Sequence, residues 1–240
     1  MADPDDLLEE LVTANRILAR EGVVDSFGHI SVRHPQRTDR FLLSRSRAPE
    51  QVEADDIMTF ALDGNPTDES GRRPYLERFI HGAIYEARPD VSSVVHSHSL
   101  SVIPFSVTGQ ALRPLMHVCA PIGYTVPVWD SRSEFGDTDL LVSNLAMGRD
   151  LARALGQGRT ALMRGHGSVV ATGSIRESVY TAIYLERNAG LQTAAMGMGP
   201  ITFLSPGEVE RVIATTTPAL LDRLWENWCR HAGRRFLPQA

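Results

Sequence analysis

Hydrophobic residues recur along the chain with two different periods, and each period predicts one kind of element. Apolar positions three and four residues apart predict helices over residues 4–22, 74–88, 137–155, 174–195 and 205–230, the last interrupted near Pro218. Alternating or short continuous apolar runs predict strands over residues 29–33, after a turn at Gly28, and over 41–44, 57–62, 91–98, 160–163 and 168–171. A short helix is predicted from Ser99, and a hairpin turn at residues 63–65.

Capping residues mark where several of these helices begin. Asp3 before Pro4 is an N-cap followed by proline at the first helical position. The S-x-x-E patterns that start at Ser174 and Ser205 predict capping boxes. Helices and strands are mixed throughout, without a break in composition or an internal repeat. We therefore predict an α/β fold and a single domain over residues 1–240.

Composition narrows the class of protein. The chain has no 18-residue apolar run and begins with acidic residues rather than a secretory signal, so we expect a cytoplasmic protein with no membrane partner. Cys119 and Cys229 are far apart and are predicted to be reduced thiols. The formal net charge is −5 and no basic block is present, which argues against a nucleic-acid partner.

The chain contains no lysine, because all 24 basic residues are arginine. Chemistry through a protein Schiff base is therefore excluded, and so is covalent attachment of pyridoxal phosphate (PLP). A phosphate-binding loop of the Walker type also lacks its lysine.

Histidines near the middle of the chain are the first candidates for chemistry. His96 and His98 are one residue apart at the end of an apolar strand, so their side chains point the same way. His166 lies between Gly165 and Gly167, which let the backbone approach a shared pocket closely. Three imidazoles with an open position are typical of a catalytic metal site, although two satisfied polar histidines would explain the first pair equally well.

Glu77 is the fourth candidate ligand. It lies on the predicted helix 74–88, on the side opposite the apolar residues, where a solvated glutamate is the simpler explanation. His81 follows one turn later and could orient Glu77 or the site from behind.

Three spaced motifs resemble those of a known family: ERFIHGAIY at 77–85, VHSH at 95–98 and GHG at 165–167. Together with GHISVR at 28–33 they resemble the class II aldolase/adducin superfamily over nearly the whole chain. The resemblance implies a three-layer α/β/α fold with a mixed, mostly antiparallel central sheet. It also implies a divalent metal, one of Mn²⁺, Zn²⁺, Fe²⁺ or Co²⁺, bound by His96, His98 and His166, with Glu77 as acid/base residue or ligand. Members are commonly homotetramers with sites at subunit interfaces.

Departures from the family pattern suggest which reaction is catalysed. Sugar-phosphate aldolases of the family carry Gly-Asn, Thr-Pro-Ser/Thr-Gly and Ser-Ser where this chain has GH at 28–29, SRSR at 44–47 and YLE at 75–77. Their proton-donating tyrosine also has no counterpart at residues 128–130. Arginine binds carboxylates in a planar, bidentate geometry. The altered positions therefore resemble the family's aromatic-acid decarboxylases, which act on hydroxylated pyridine dicarboxylates and dihydroxyphthalates.

We therefore predict a metal-dependent decarboxylase whose catalytic residues are Glu77 and His29. A small-molecule aromatic acid would contact Ser44, Arg45, Arg47 and Tyr75, although each arginine is as easily a solvated loop residue. One alternative is an aldolase or epimerase acting on a sugar phosphate or small hydroxy acid. A more remote one is a non-catalytic, adducin-like interaction domain, which would be expected to have lost the ligands that are present here.

Overall fold

One seven-stranded sheet forms the centre of the structure. The computed structural model describes residues 4–67 and 71–238, so the predicted cap at Asp3 lies outside the described residues. The strand order is β3-β2-β1-β4-β7-β6-β5. The strands are β1 (His29–Arg33), β2 (Arg40–Ser44), β3 (Ile57–Ala61), β4 (Ser93–Ser97), β5 (Val128–Trp129), β6 (Thr160–Met163) and β7 (Gly167–Thr172). All neighbours are antiparallel except β5 and β6, which confirms the predicted mixed, mostly antiparallel sheet.

Helices cover both faces of the sheet. They are α1 (Pro4–Arg20), α2 (Arg78–Ala87), α3 (Ile103–Thr108), α4 (Arg132–Phe135), α5 (Leu145–Leu155), α6 (Ile175–Met196), α7 (Pro206–Ala214) and α8 (Pro218–His231). Short 3₁₀ segments occupy Pro49–Gln51, Ala54–Asp56, Leu100–Val102 and His117–Ile122. No helix in the described part of the chain is both long and apolar enough to cross a bilayer.

Two apolar cores, one on each face, confirm the three layers. The first core packs α1, α6 and α8 against side chains such as Ile30 and Val95, and it includes both Trp225 and Trp228. The second packs α2 and α5 against the other face. Because side chains alternate along a strand, the residues next to Ile30 and Val95 face the second core. That alternation places His29, Ser31 and His96 on the α2 side of the sheet.

The predicted helix from residue 137 is wrong at its start. Helix α5 begins at Leu145, and the side chain of Asn144 caps it by accepting the Met147 N–H. The Thr138 hydroxyl accepts the Leu140 N–H instead of opening a helix. Leu140 has a φ of 67°, in the left-handed region that a right-handed helix cannot contain. The segment before Asn144 is therefore a loop.

The other predicted boundaries shift by a few residues. Helix α2 begins at Arg78, so Glu77 occupies its N-cap position rather than a helical face.

The capping box predicted at Ser205 forms, with both of its hydrogen bonds present. Ser174 caps α6, but the Glu177 carboxylate accepts the Gly173 N–H instead of completing the box. The two cysteines are free and buried, in agreement with the prediction of thiols.

Candidate metal centre and adjoining pocket

Four side chains from three parts of the fold converge at one end of the sheet. His96 is near the end of β4 and His98 follows that strand. His166 lies in the turn between β6 and β7, and β7 pairs with β4, so the turn reaches the same end. Glu77 approaches from the start of α2. Local sequence alone puts only His96 and His98 together, and the sheet register supplies the rest.

The distances between these side chains suit a cation. Nε2 of His98 lies 3.2 Å from Nε2 of His96 and 3.0 Å from Nε2 of His166. Oε2 of Glu77 is 3.4 Å from the His96 Nε2 and 3.6 Å from the His166 Nε2. One ligand atom from each residue lies within 4.8 Å of every other. Tetrahedral ligands about 2.1 Å from a metal ion are separated by roughly 3.4 Å, which matches this spacing.

The protonation states of these side chains also favour the binding of a cation. The Nδ1 of His96 lies 3.1 Å from the Ser168 carbonyl oxygen, to which it donates, so Nε2 is the ring nitrogen that faces the cluster. Burial and the neighbouring histidines lower the pKa of His98 to about 4. Burial raises the pKa of Glu77, but His96 and His166 outweigh it and hold that pKa well below its usual range. A neutral His98 and an ionised Glu77 are the forms in which these two groups bind a metal ion.

The two carboxylate oxygens of Glu77 have different surroundings. Oε1 accepts the backbone N–H of Val142 at 3.0 Å, whereas Oε2 faces the histidines. The Val142 amide belongs to the loop that the sequence suggested was helical. This loop therefore fixes the orientation of Glu77, and no sequence pattern indicated that role.

The glycines beside His166 act as predicted. Gly165 has a φ of 64°, which favours glycine. A Cβ on Gly167 would lie 2.1 Å from the Ser97 carbonyl oxygen, closer than any side chain tolerates. Only a chain without side chains at these positions can turn so close to β4 and bring His166 to the cluster.

His29 lies beside the cluster, buried on the same face of the sheet. It pairs with His96 across β1 and β4, and the two ring centroids are 5.2 Å apart. The ring of Tyr75 lies 4.5 Å away on another side. Nδ1 of His29 contacts Nε2 of His81 at 2.7 Å, so the hydrogen bonds of His81 reach His29 rather than Glu77. Burial, reinforced by His81 and His96, lowers the pKa of His29 well below its ordinary value.

Arg45 and Arg47 share a buried carboxylate that the sequence did not reveal. Nε of Arg45 lies 2.5 Å from one oxygen of Asp56, and a terminal nitrogen of Arg47 lies 2.7 Å from the other. The Arg45 and Arg47 side chains remain 37% and 33% exposed, so they keep free N–H groups, and together with Asp56 they carry one net positive charge. The Tyr75 hydroxyl donates to the Arg47 carbonyl and joins this loop to the His29 side of the site.

Two further positions discussed from the sequence, Ser44 and Trp129, are both buried. Ser44 is buried at the end of β2, beside the phenol of Tyr75. Trp129 is buried in β5 and donates its indole N–H to Asp150 at 2.7 Å, so this position holds a structural side chain in place of a tyrosine.

Comparisons with known proteins agree with this geometry. Residues 9–193 match the model of the Class II Aldolase and Adducin N-terminal domain. The chain is 37% identical to Decarboxylase tropJ of Talaromyces stipitatus, over 91% of each chain. It is 32% identical to the 3,4-dihydroxyphthalate decarboxylase of Arthrobacter keyseri, over 80% of this chain and 79% of that one.

Solved structures give the same result for the fold. The structure of L-fuculose 1-phosphate aldolase from Glaciozyma antarctica PI12 superposes with a TM-score of 0.74 at 25% identity, covering 95% of this chain and 92% of that one. The family model spans all four residues of the cluster, and the relatives are matched over most of their length. This chain therefore belongs to the class II aldolase and adducin N-terminal domain family.

Proposed function

We propose that this protein is a divalent-metal-dependent, non-oxidative decarboxylase of a hydroxylated aromatic or pyridine dicarboxylate, with the departing carboxylate ortho to a ring hydroxyl. One observation carries the proposal. The Glu77 and histidine cluster adjoins His29, and Tyr75 connects His29 to Arg45 and Arg47, at positions where the family's sugar-phosphate aldolases carry the donors that hold a phosphate. Decarboxylases among the relatives support the same assignment.

His96, His98 and His166 would hold the metal ion, with Glu77 as a fourth ligand or as the acid/base residue. Three imidazoles and a carboxylate accept Mn²⁺ or Zn²⁺, and also Fe²⁺ or Co²⁺. The ion supplies a Lewis acid that stabilises negative charge on a substrate oxygen.

In this proposal Glu77 moves the proton. Its Oε1 is held by Val142, so Oε2 takes the proton from the ring hydroxyl and returns it to the carboxylated ring carbon. The bond from that carbon to the carboxylate then breaks, CO₂ leaves, and the electron pair of the broken bond restores the aromatic ring. His29, the second catalytic residue, contacts the reacting carboxylate or delivers the proton in place of Glu77.

The arginine loop would hold the second carboxylate. Arg45 and Arg47 are oriented by Asp56, and the Tyr75 hydroxyl donates to the Arg47 carbonyl, which ties the two arginines to the ring beside His29. Because Asp56 neutralises one of the two guanidinium groups, the three side chains together keep one positive charge, which suits one further carboxylate. Ser44 would add a hydroxyl to the same wall.

The test is CO₂ release from 3,4-dihydroxyphthalate and from 3-hydroxy-2-methylpyridine-4,5-dicarboxylate. Activity should disappear with a chelator and return when Mn²⁺ or Zn²⁺ is added. His166→Ala should abolish both turnover and metal retention, whereas His231→Gln, at an exposed residue, should leave both unchanged. Absence of CO₂ from every aromatic acid in the panel, with stoichiometric metal bound, would overturn the proposal.

A second candidate is an aldolase, because an L-fuculose 1-phosphate aldolase shares the fold at 25% identity. The same preparation should release no aldehyde from sugar phosphates that yield dihydroxyacetone phosphate or pyruvate. Aldehyde release without CO₂ would select the aldolase. Turnover of either kind excludes a purely non-catalytic, adducin-like role.

We also propose that the active form is a homo-oligomer, a tetramer, with the site at a subunit interface. Exposed apolar side chains border the cluster: Phe27 stacks on His98, Leu76 precedes Glu77, and Leu100 is 82% exposed just after β4. Sedimentation of the wild type and of Leu100→Ser tests this. A monomer with full activity would contradict it.

A further inference from the structure

A continuous chain of hydrogen bonds begins at His29 and runs into the interior. Nδ1 of His29 lies 2.7 Å from Nε2 of His81, whose Nδ1 lies 2.6 Å from the Ser31 hydroxyl. The Ser31 oxygen is 2.8 Å from the Tyr85 hydroxyl. All four residues are buried, and Tyr85 is surrounded by the apolar core between α2 and the sheet. Such a buried network is costly unless every donor has an acceptor.

Counting donors fixes the direction of the chain. Among the residues that the structure describes, Ser31 is the one side-chain acceptor for the Tyr85 hydroxyl. Burial raises the pKa of Tyr85 well above its ordinary value, so the phenol keeps its proton. A buried O–H that has no acceptor costs the free energy of a lost hydrogen bond, so the phenol proton must point to the Ser31 oxygen. Tyr85 therefore donates to Ser31.

The remaining bonds then follow in order. Ser31 accepts from Tyr85 and has one O–H, which it donates to Nδ1 of His81. His81 consequently carries its proton on Nε2 and donates it to Nδ1 of His29. The reverse direction would leave the Tyr85 O–H buried with no acceptor within the described ranges.

We propose that Tyr85, Ser31 and His81 are positioning residues that hold His29 as a neutral imidazole protonated on Nε2. His29 then donates a hydrogen bond from Nε2 to the reacting carboxylate of the substrate, and proton transfer to carbon is left to Glu77. The part that concerns the substrate rests on the proposed function.

The surroundings of His29 support this role. Its Nδ1 is occupied by His81, and its ring is held between those of Tyr75 and His96. Nε2 makes no hydrogen bond to any residue in the described ranges, so this nitrogen is available to a ligand. A neutral donor also adds no positive charge beside a cation site, yet it can pair with a carboxylate.

Nitrogen NMR of the histidine rings tests the tautomer without substrate. The protein is labelled with ¹⁵N-histidine and loaded with diamagnetic Zn²⁺, and His29→Asn and His81→Gln variants assign the signals. Both His29 and His81 should carry the proton on Nε2, and Ser31→Ala should make the His81 signals those of mixed tautomers. A proton on Nδ1 of His29 would overturn the proposal. This result stands even if no aromatic acid is decarboxylated, so the two proposals fail separately.

Paired variants test the effect on turnover. The amide nitrogen of glutamine can replace Nε2 of His81 and that of asparagine can replace Nδ1. His81→Gln should therefore keep kcat within about threefold, whereas His81→Asn and Ser31→Ala should lower it by about 10-fold or more with KM little changed. The matched control is Ser178→Ala, which removes a buried hydroxyl bonded to Thr172 and Ser93 away from the site. If kcat falls equally in His81→Gln and His81→Asn, or equally in Ser31→Ala and Ser178→Ala, these hydrogen bonds serve only to stabilise the fold and the proposal is wrong.

Discussion

Acid should destabilise this protein through His81, and the size of the effect follows from its burial. His81 has no exposed surface, and burial, helped by His96, lowers its pKa from 6.5 to about 3. The unfolded chain therefore binds a proton at this histidine at a higher pH than the folded chain does. The contribution of the neutral, buried His81 to the free energy of unfolding is fully present above pH 6.5 and is lost as the pH falls from 6.5 towards 3.

Each pH unit between the two pKa values costs about 1.4 kcal/mol. Lowering the pH from 7 to 5 should therefore remove about 2 kcal/mol of unfolding free energy through His81 alone. Glutamine does not titrate and keeps a donor towards His29, so His81→Gln should lose about 2 kcal/mol less than the wild type over the same range. The other buried histidines contribute to both proteins and cancel in the difference.

Urea denaturation at pH 7, 6 and 5 measures this difference. His231→Gln removes an exposed histidine and should follow the wild type at every pH. If the wild type and His81→Gln lose the same stability between pH 7 and 5, His81 does not hold its buried, neutral state and the reasoning fails.

Three other substitutions test the site and its support. Glu77→Gln should keep the fold and lower kcat by about 100-fold or more, measured as CO₂ release, because an amide cannot carry the proton. Asp56→Asn should raise KM for the dicarboxylate by about 10-fold with kcat little changed, because the two arginines lose the anchor that orients them. Gly167→Ala should lower stability by about 1–3 kcal/mol or more, because its Cβ meets the Ser97 carbonyl at 2.1 Å. Thermal melts should show a much smaller change for Gly173→Ala, whose Cβ would be 3.5 Å from its nearest neighbour.

The sequence pointed to the residues of the histidine and glutamate cluster because most of them carry local signals. Alternation put His96 and His98 on one side, and the flanking glycines set His166 apart from an ordinary turn residue. For Glu77 the sequence indicated the residue but not its setting, because the helix begins one residue later and leaves the carboxylate at the N-cap. Periodicity locates a helix well but not its first turn.

The sequence did not indicate contacts between segments that are distant along the chain. Asp56 lies in an acidic run, and nothing in that run distinguishes the carboxylate that holds both arginines. The Val142 amide orients Glu77 across 65 residues, from a loop whose apolar spacing imitated a helix. The backbone at Leu140 is left-handed, which excludes a helix there, and this conformation runs against the local helical propensity.

The position of α2 connects these observations. The face of β1 and β4 that turns towards α2 carries His29, Ser31 and His96 where a core would ordinarily be apolar. Burying such polar residues costs free energy unless the helix that covers them supplies hydrogen-bond partners. Helix α2 brings them in the right order, with Glu77 at its start, His81 one turn later and Tyr85 one turn after that. The helix is held close by Gly148 of α5, where a Cβ would lie 2.4 Å from the Phe79 carbonyl oxygen. The spacing of four residues along α2 therefore connects the glutamate and histidine cluster, the histidine beside it and the hydrogen bonds behind it, so a shift of α2 would disturb all three together.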